Sequence, residues 1–235
     1  EVKNVYHEQL EDDVFRITVE LKHNQHWGYS IYYAGKRLVI KIKRQPADPD
    51  IKKMKIAVDA GHGGSNTGAI GILSKIQEKK YTLLIAKELE KELNENGAAV
   101  YMTRDKDTGL GMLERVEMVK KADPDFLISI HLNSSARDSI RGVSTYYRYI
   151  GFRPLTKYIQ ESMLELGLVD FGNIGSFNFT LNGPTDYPNC LVEVAFLSNK
   201  EDEILILNPD FHKAVAKQIL KGIKEWLKSC KKDDD

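Results

Sequence analysis

From Met54 onward the chain alternates short apolar runs with stretches of helical periodicity, and this alternation limits the possible folds more than any other feature. Residues 55–59, 98–102, 126–130, 143–147 and 191–196 read as strands, those at 126–130 and 191–196 being apolar on both faces. Between them, Tyr81, Leu84, Ile85, Leu89 and Leu93 have helical spacing, closed by Asn96-Gly97. Leu113, Val116 and Val119 mark a short helix that stops before Pro124. Two more helices run through Leu155, Ile159, Met163 and Leu166, and through Phe211, Val215, Ile219, Ile223 and Trp226. Buried strands alternating with amphipathic helices predict an α/β fold, its largely parallel sheet covered on both faces.

The first 43 residues follow a different period. Phe15, Ile17, Val19 and Leu21 alternate with mostly polar residues, as do Trp27, Tyr29 and Ile31, then Leu38, Ile40 and Ile42 after a turn at Ala34-Gly35. Three such strands make a thin core, so this piece reads as a small β appendage. It ends in a polar linker, residues 44–50, with two prolines. The expected division is 1–50 for appendage and linker, 51–230 for a catalytic domain, and 231–235 for a frayed charged tail.

Lys plus Arg and Asp plus Glu both number 34, which lacks the basic excess of a nucleic-acid binder. No apolar run approaches the roughly 20 residues of a membrane span. Of the 2 cysteines, Cys190 sits in an apolar run and reads as buried, whereas Cys230 sits in the charged tail; no disulfide framework is implied. With Glu1 rather than Met at its start and no signal peptide, the chain reads as a mature or trimmed form.

Three polar residues interrupt or end the apolar runs: His62 after residues 56–61, His131 after 126–130, and Glu193 among Leu191, Val192, Val194 and Phe196. A buried polar side chain costs several kcal/mol unless it has a partner, and a shared cation is one such partner. Glycines at 61, 63 and 64 leave room for a ligand beside His62. In open α/β sheets, sites gather at the carboxyl ends of strands, where these residues fall. Glu78, which begins a helix, would face the same rim. Each residue also has a structural reading: a tight turn at His62, a hydrogen-bonded strand end at His131, a favourable helix-start charge at Glu78. The pattern alone leaves a metal hydrolase and these structural roles both open.

Several segments taken in order narrow the choice. Val58-Asp-Ala-Gly-His-Gly-Gly64, Glu78-Lys79 at a helix start, Thr103-Arg-Asp105, Leu113-Glu-Arg115, Ser129-Ile-His-Leu-Asn133, Arg141-Gly-Val143 and Leu191-Val-Glu-Val-Ala-Phe-Leu-Ser-Asn199 resemble the zinc-dependent N-acetylmuramoyl-L-alanine amidases of bacterial cell walls, the type 3 amidase family. The resemblance runs from about Met54 to Leu227. It implies a central, mostly parallel six-stranded sheet of the zinc exopeptidase-like kind. It also implies one zinc ion held by His62, Glu78 and His131, with Glu193 as the catalytic glutamate. The implied substrate is peptidoglycan, cut between N-acetylmuramic acid and the L-alanine of the stem peptide, and the implied location is the cell envelope. Asn133 is a candidate substrate contact, with a structural turn role as the alternative.

The chain departs from the family pattern at Ala60, often Pro, at Ala195, often Gly, and at Asp170-Phe-Gly-Asn-Ile-Gly175, which lacks an Arg that many relatives carry. The last departure puts stem-peptide contacts in doubt. Residues 171–189, rich in Asn, Gly and aromatics, suit either a groove lip or an irregular loop. Some relatives insert an inhibitory helix after the second zinc histidine. Here little room remains for one, so a constitutively open site needing no activator is expected; separately, the chain is expected to be a monomer. The rival readings are a zinc peptidase acting within the stem peptide and a non-catalytic wall-binding or regulatory module.

Overall fold

The computed structural model describes residues 2–231. Two antiparallel hairpins come first: β1 (Val2–Glu11) with β2 (Val14–Leu21), and β3 (Tyr29–Ala34) with β4 (Arg37–Ile42). The appendage thus holds one strand more than the three expected. After Lys53 the alternation begins: β5 (Lys55–Ala60), α1 (Glu78–Glu95), β6 (Ala99–Met102), α2 (Met112–Ala122), β7 (Phe126–Asn133), β8 (Val143–Tyr146), α3 (Arg153–Leu164), β9 (Asp170–Ile174), β10 (Asn189–Phe196), α4 (Lys200–Leu207) and α5 (Pro209–Lys231).

Six strands form one sheet in the order β6-β5-β7-β10-β8-β9. All neighbours are parallel except β10 and β8. Ile56, Val58 and Ala60 of β5, Ile128 and Ile130 of β7, and Val192 and Val194 of β10 share a large core with the buried stripes of α1, α3 and α5. The other face buries Ala57 and Leu127 against Val119 of α2, Leu181 and Tyr187. From β5 the chain crosses to β6 on one side and then to β7 on the other. That reversal opens a crevice at the carboxyl ends of β5 and β7.

Residues between the two hairpins and just after the second pack against the sheet domain. Trp27 is fully buried, its ring centroid 5.0 Å from that of Trp226 in α5. Its Nε1–H donates to Gln45, while Trp226 Nε1–H donates to Gln25. Tyr29 N–H donates to Thr185 O at 2.7 Å, extending the contact to the loop before β10.

Some expectations need correction. Residues 170–174, read as loop, form the edge strand β9, whose Asp170 accepts from Gln160 at 2.7 Å. Lys200–Leu207 is a helix; Asn199 caps it, accepting from the N–H groups of Glu201 and Asp202. Cys230 is buried in the last turn of α5 rather than lying in a solvated tail, because the apolar stripe of that helix continues to it. Lys231 closes the same helix, and the rest of the expected tail, 232–235, lies outside the described residues. Leu113 marks a true helix but is 73% exposed; Arg115 takes the buried position instead. Among the described residues, no helix is long and apolar enough to cross a membrane.

Candidate active site

The site begins where β5 ends. His62 follows Gly61 with φ of 63°, the left-handed region that non-glycine residues seldom occupy. Two buried arginines hold this turn by its carbonyls. Arg104 Nε–H donates to Ala60 O at 2.8 Å and Nη2–H to Gly61 O at 2.8 Å. Arg115 Nη1–H donates to Ala60 O at 2.8 Å, and its Nη2–H reaches His62 O. Arg115 is itself paired with buried Asp59 at 2.6 Å. Asp59 also accepts from Thr103 and Ser129 at 2.7 Å each. Burial opposes its charge, but Arg115, His131 and the two hydroxyls hold its carboxyl below the usual range.

Glu78 is the first residue of α1 and is buried. Its Oε2 accepts from Ala69 N–H at 2.8 Å, and its Oε1 from Leu132 N–H at 3.0 Å. The same Oε1 lies 3.0 Å from His62 Nε2 and 3.0 Å from His131 Nδ1. Burial works against ionised Glu78, yet hydrogen bonds to His131 and His62 outweigh it and hold the carboxyl well below the usual range. For His131, burial lowers the pKa, but the hydrogen bond to Glu78 and the charges of Glu193, Glu78 and Asp59 push it up to about 9.

Close packing leaves these side chains little freedom. A Cβ on Gly61 would lie 2.3 Å from His131 Cε1, and one on Gly68 would lie 2.4 Å from Glu78 Oε2 and 2.7 Å from His62 Cδ2. His62 Nδ1 lies 3.0 Å from Asn66 Oδ1. One possible donor atom each from His62, Glu78 and His131 falls within 4.8 Å of the others. Two imidazole nitrogens and one carboxylate oxygen at that separation fit a divalent cation about 2.0–2.2 Å from each.

Glu193 stands beside them on β10. Only 8% of it is exposed, and its Oε2 is buried without a hydrogen-bond partner in the protein. Burial pushes its carboxyl up to about 7, with His131 opposing and Glu78 adding to the rise. An unpartnered carboxylate oxygen beside three convergent donors is what a bound cation and its water would satisfy. Asn133, at the end of β7, spends its Oδ1 on Ser134 N–H at 2.8 Å and brings Nδ2 within 3.5 Å of the Tyr146 hydroxyl. Tyr146 in turn stacks edge-on with Phe177 and Phe179, which belong to the aromatic stretch read as a groove lip.

The structure therefore brings His62, Glu78, His131 and Glu193 to one place, with Asn133 two residues further along β7. Sequence reasoning gave no role to Asp59, Asn66, Arg104 and Arg115, which hold these residues. Asp59 did carry a signal: it breaks the apolar run of β5 as Glu193 breaks that of β10.

Residues 56–225 match the family model described as N-acetylmuramoyl-L-alanine amidase. A probable cell wall amidase of Staphylococcus epidermidis, LytH, is 34% identical over 191 residues, covering 78% of this chain and 64% of its own. This chain thus spans just under two thirds of that relative. The germination-specific N-acetylmuramoyl-L-alanine amidase of Bacillus subtilis is 33% identical, over 73% of this chain and 79% of its own. Among solved structures, the catalytic domain of CwlV, an N-acetylmuramoyl-L-alanine amidase from Bacillus (Paenibacillus) polymyxa var. colistinus, superposes with a TM-score of 0.71 at 33% identity. It covers 74% of this chain and 98% of that one.

Proposed function

The chain belongs to the N-acetylmuramoyl-L-alanine amidase family, and on that premise we propose that it is a zinc-dependent peptidoglycan hydrolase of the cell envelope, releasing stem peptides from N-acetylmuramic acid. One observation carries this reading. His62 Nε2, Glu78 Oε1 and His131 Nδ1 converge beside an acid, Glu193, that has an unpartnered oxygen. His62, Glu78 and His131 would hold the ion. Bound there, zinc would act as a Lewis acid toward the amide carbonyl and would make the attacking water more acidic.

The chain's own residues do the rest. Glu193 Oε2 accepts a proton from the water as the water oxygen attacks the carbonyl carbon between the lactyl group and L-alanine. The same oxygen then returns the proton to the alanine nitrogen as the C–N bond breaks. The products are a lactyl carboxylate on the glycan and a free α-amine on the stem peptide. Burial that holds Glu193 near neutrality suits a group that must both take and return a proton. Arg104 and Arg115 keep the His62 turn in place through the cycle. Asn133, beside Tyr146, is the candidate contact to substrate.

Between His131 and Glu193 the chain is taken up by β8, α3, β9 and a 3-10 turn at Thr180–Asn182. This leaves little chain for an inhibitory helix and supports a site that works without an activator. The test is mass spectrometry of purified wall digested by the zinc-loaded protein. Free stem peptides with an intact L-alanine amine are expected. Fragments cut within the stem peptide would establish the peptidase reading, and undigested wall that retains the protein would establish the binding module.

A further inference from the structure

Asn66 Oδ1 receives two groups. It lies 3.0 Å from His62 Nδ1 and accepts from Gly68 N–H at 3.2 Å. A backbone N–H can only donate, so the atom it meets is the amide oxygen and not the nitrogen. That settles the orientation of the Asn66 amide, and with it the role of His62 Nδ1. Facing an oxygen that can only accept, Nδ1 must carry the hydrogen. Nε2, which faces Glu78 Oε1 at 3.0 Å, is then the nitrogen left for a metal ion.

The position of Asn66 is itself fixed. Gly63 and Asn66 exchange backbone hydrogen bonds at 2.9 and 3.1 Å. Gly63 has φ of +132°, and a Cβ there would lie 2.2 Å from Thr108 O, so the turn is clamped between neighbouring loops. We propose that Asn66 is a positioning residue that holds the hydrogen on His62 Nδ1 and so assigns Nε2 as the nitrogen that would bind a metal ion. The inference rests on the reading of His62 as a ligand. A neutral acceptor does this without placing a second carboxylate beside Glu78. The usual effect of such outer hydrogen bonds on metal affinity is 10–100-fold, a range of roughly that order being expected here.

Two substitutions separate this role from simple support of the turn. Asn66→Ser can still accept from Gly68 N–H, as short hydroxyl side chains do in turns, but is too short to reach His62. Asn66→Asp keeps an acceptor at both distances. Zinc affinity is measured on the full chain by competition with a chromophoric chelator. In parallel, the Nδ1–H resonance of His62 is followed by NMR in zinc-loaded, 15N-histidine-labelled protein. Asn66→Ser should bind zinc about 10–100-fold more weakly and lose the slowly exchanging Nδ1–H signal. Asn66→Asp should bind at least as tightly as wild type and keep the signal. Unchanged affinity in folded Asn66→Ser, or equal weakening in both variants, would overturn the proposal. Under either result, His62→Ala still reports separately on the ligand reading: if it binds zinc like wild type, that reading fails as well.

Discussion

Glu193 sits directly across the β7–β10 ladder from His131. Parallel pairing puts directly opposed residues on the same face of a sheet, so this register alone brings the acid beside the imidazole. Slipping β10 by one residue would turn Glu193 to the face covered by α1, α3 and α5. The acid is thus placed by rigid strand pairing rather than by a loop. Replacing it leaves His62, Glu78 and His131 untouched. Glu193→Ala should keep its zinc and lose about 10²–10⁴-fold or more in turnover. Steady-state release of stem peptide, with zinc measured on the same preparation, checks this; an unchanged rate contradicts the mechanism.

Gly61 offers a sharper steric test. An added methyl would meet the His131 ring at 2.3 Å, with its nitrogens at 2.6 and 2.7 Å. The backbone behind it is held by Arg104 and Thr82, so the ring must yield. Gly61→Ala should cost about 1–3 kcal/mol of stability as overpacking does, and should lose zinc while remaining folded. Circular dichroism and metal content together decide; normal zinc binding would mean that His131 is not held by this contact.

Without metal, His131 is pushed up to about 9 and Glu193 to about 7, from ordinary values of 6.5 and 4.5. Both folded values exceed the unfolded ones, so the folded chain holds extra protons and loses stability as pH rises. The His131 contribution is full below about pH 6.5 and gone above about 9; the Glu193 cost sets in between about 4.5 and 7. Glu78 and Asp59 are shifted down and act oppositely, adding stability that is lost only in acid. The metal-free protein should therefore weaken from roughly pH 6 to pH 9. Zinc requires deprotonated ligands, so its stabilisation should grow over the same range. Thermal melts with and without zinc test this: a larger Tm increase at the alkaline end is expected, and an equal or smaller one contradicts it.

The amino-terminal region should divide between its two hairpins. Trp27 is fully buried against Trp226, whereas every residue of β1 is exposed. Removing residues 1–22 should leave folding and turnover of a small soluble muropeptide intact. Trp27→Ala should cost about 3–5 kcal/mol, as large aromatic truncations in cores do. Chemical denaturation of both variants distinguishes this from a freely appended module, in which neither change would destabilise the catalytic domain.

Much of the fold and part of the site was legible in the sequence, for physical reasons. Strands β5, β7 and β10 are largely apolar, so His62 just past β5, His131 near the end of β7 and Glu193 within β10 stand out. Glu78 does not stand out, because an acid at a helix start is ordinary; only the packing of α1 against the sheet aims it at the histidines. Strand β9 was missed because Gly172 and Asn173 sit at a sheet edge, where apolar alternation is not required. The roles of Arg104 and Arg115 depend on long side chains crossing between segments, which local pattern does not encode.

The claim that three distant side chains meet at one ion is tested most directly by anomalous diffraction at the zinc absorption edge, from crystals grown with zinc. A single strong peak is predicted about 2.0–2.2 Å from His62 Nε2, Glu78 Oε1 and His131 Nδ1. No peak there, or zinc bound only elsewhere on the chain, would contradict it.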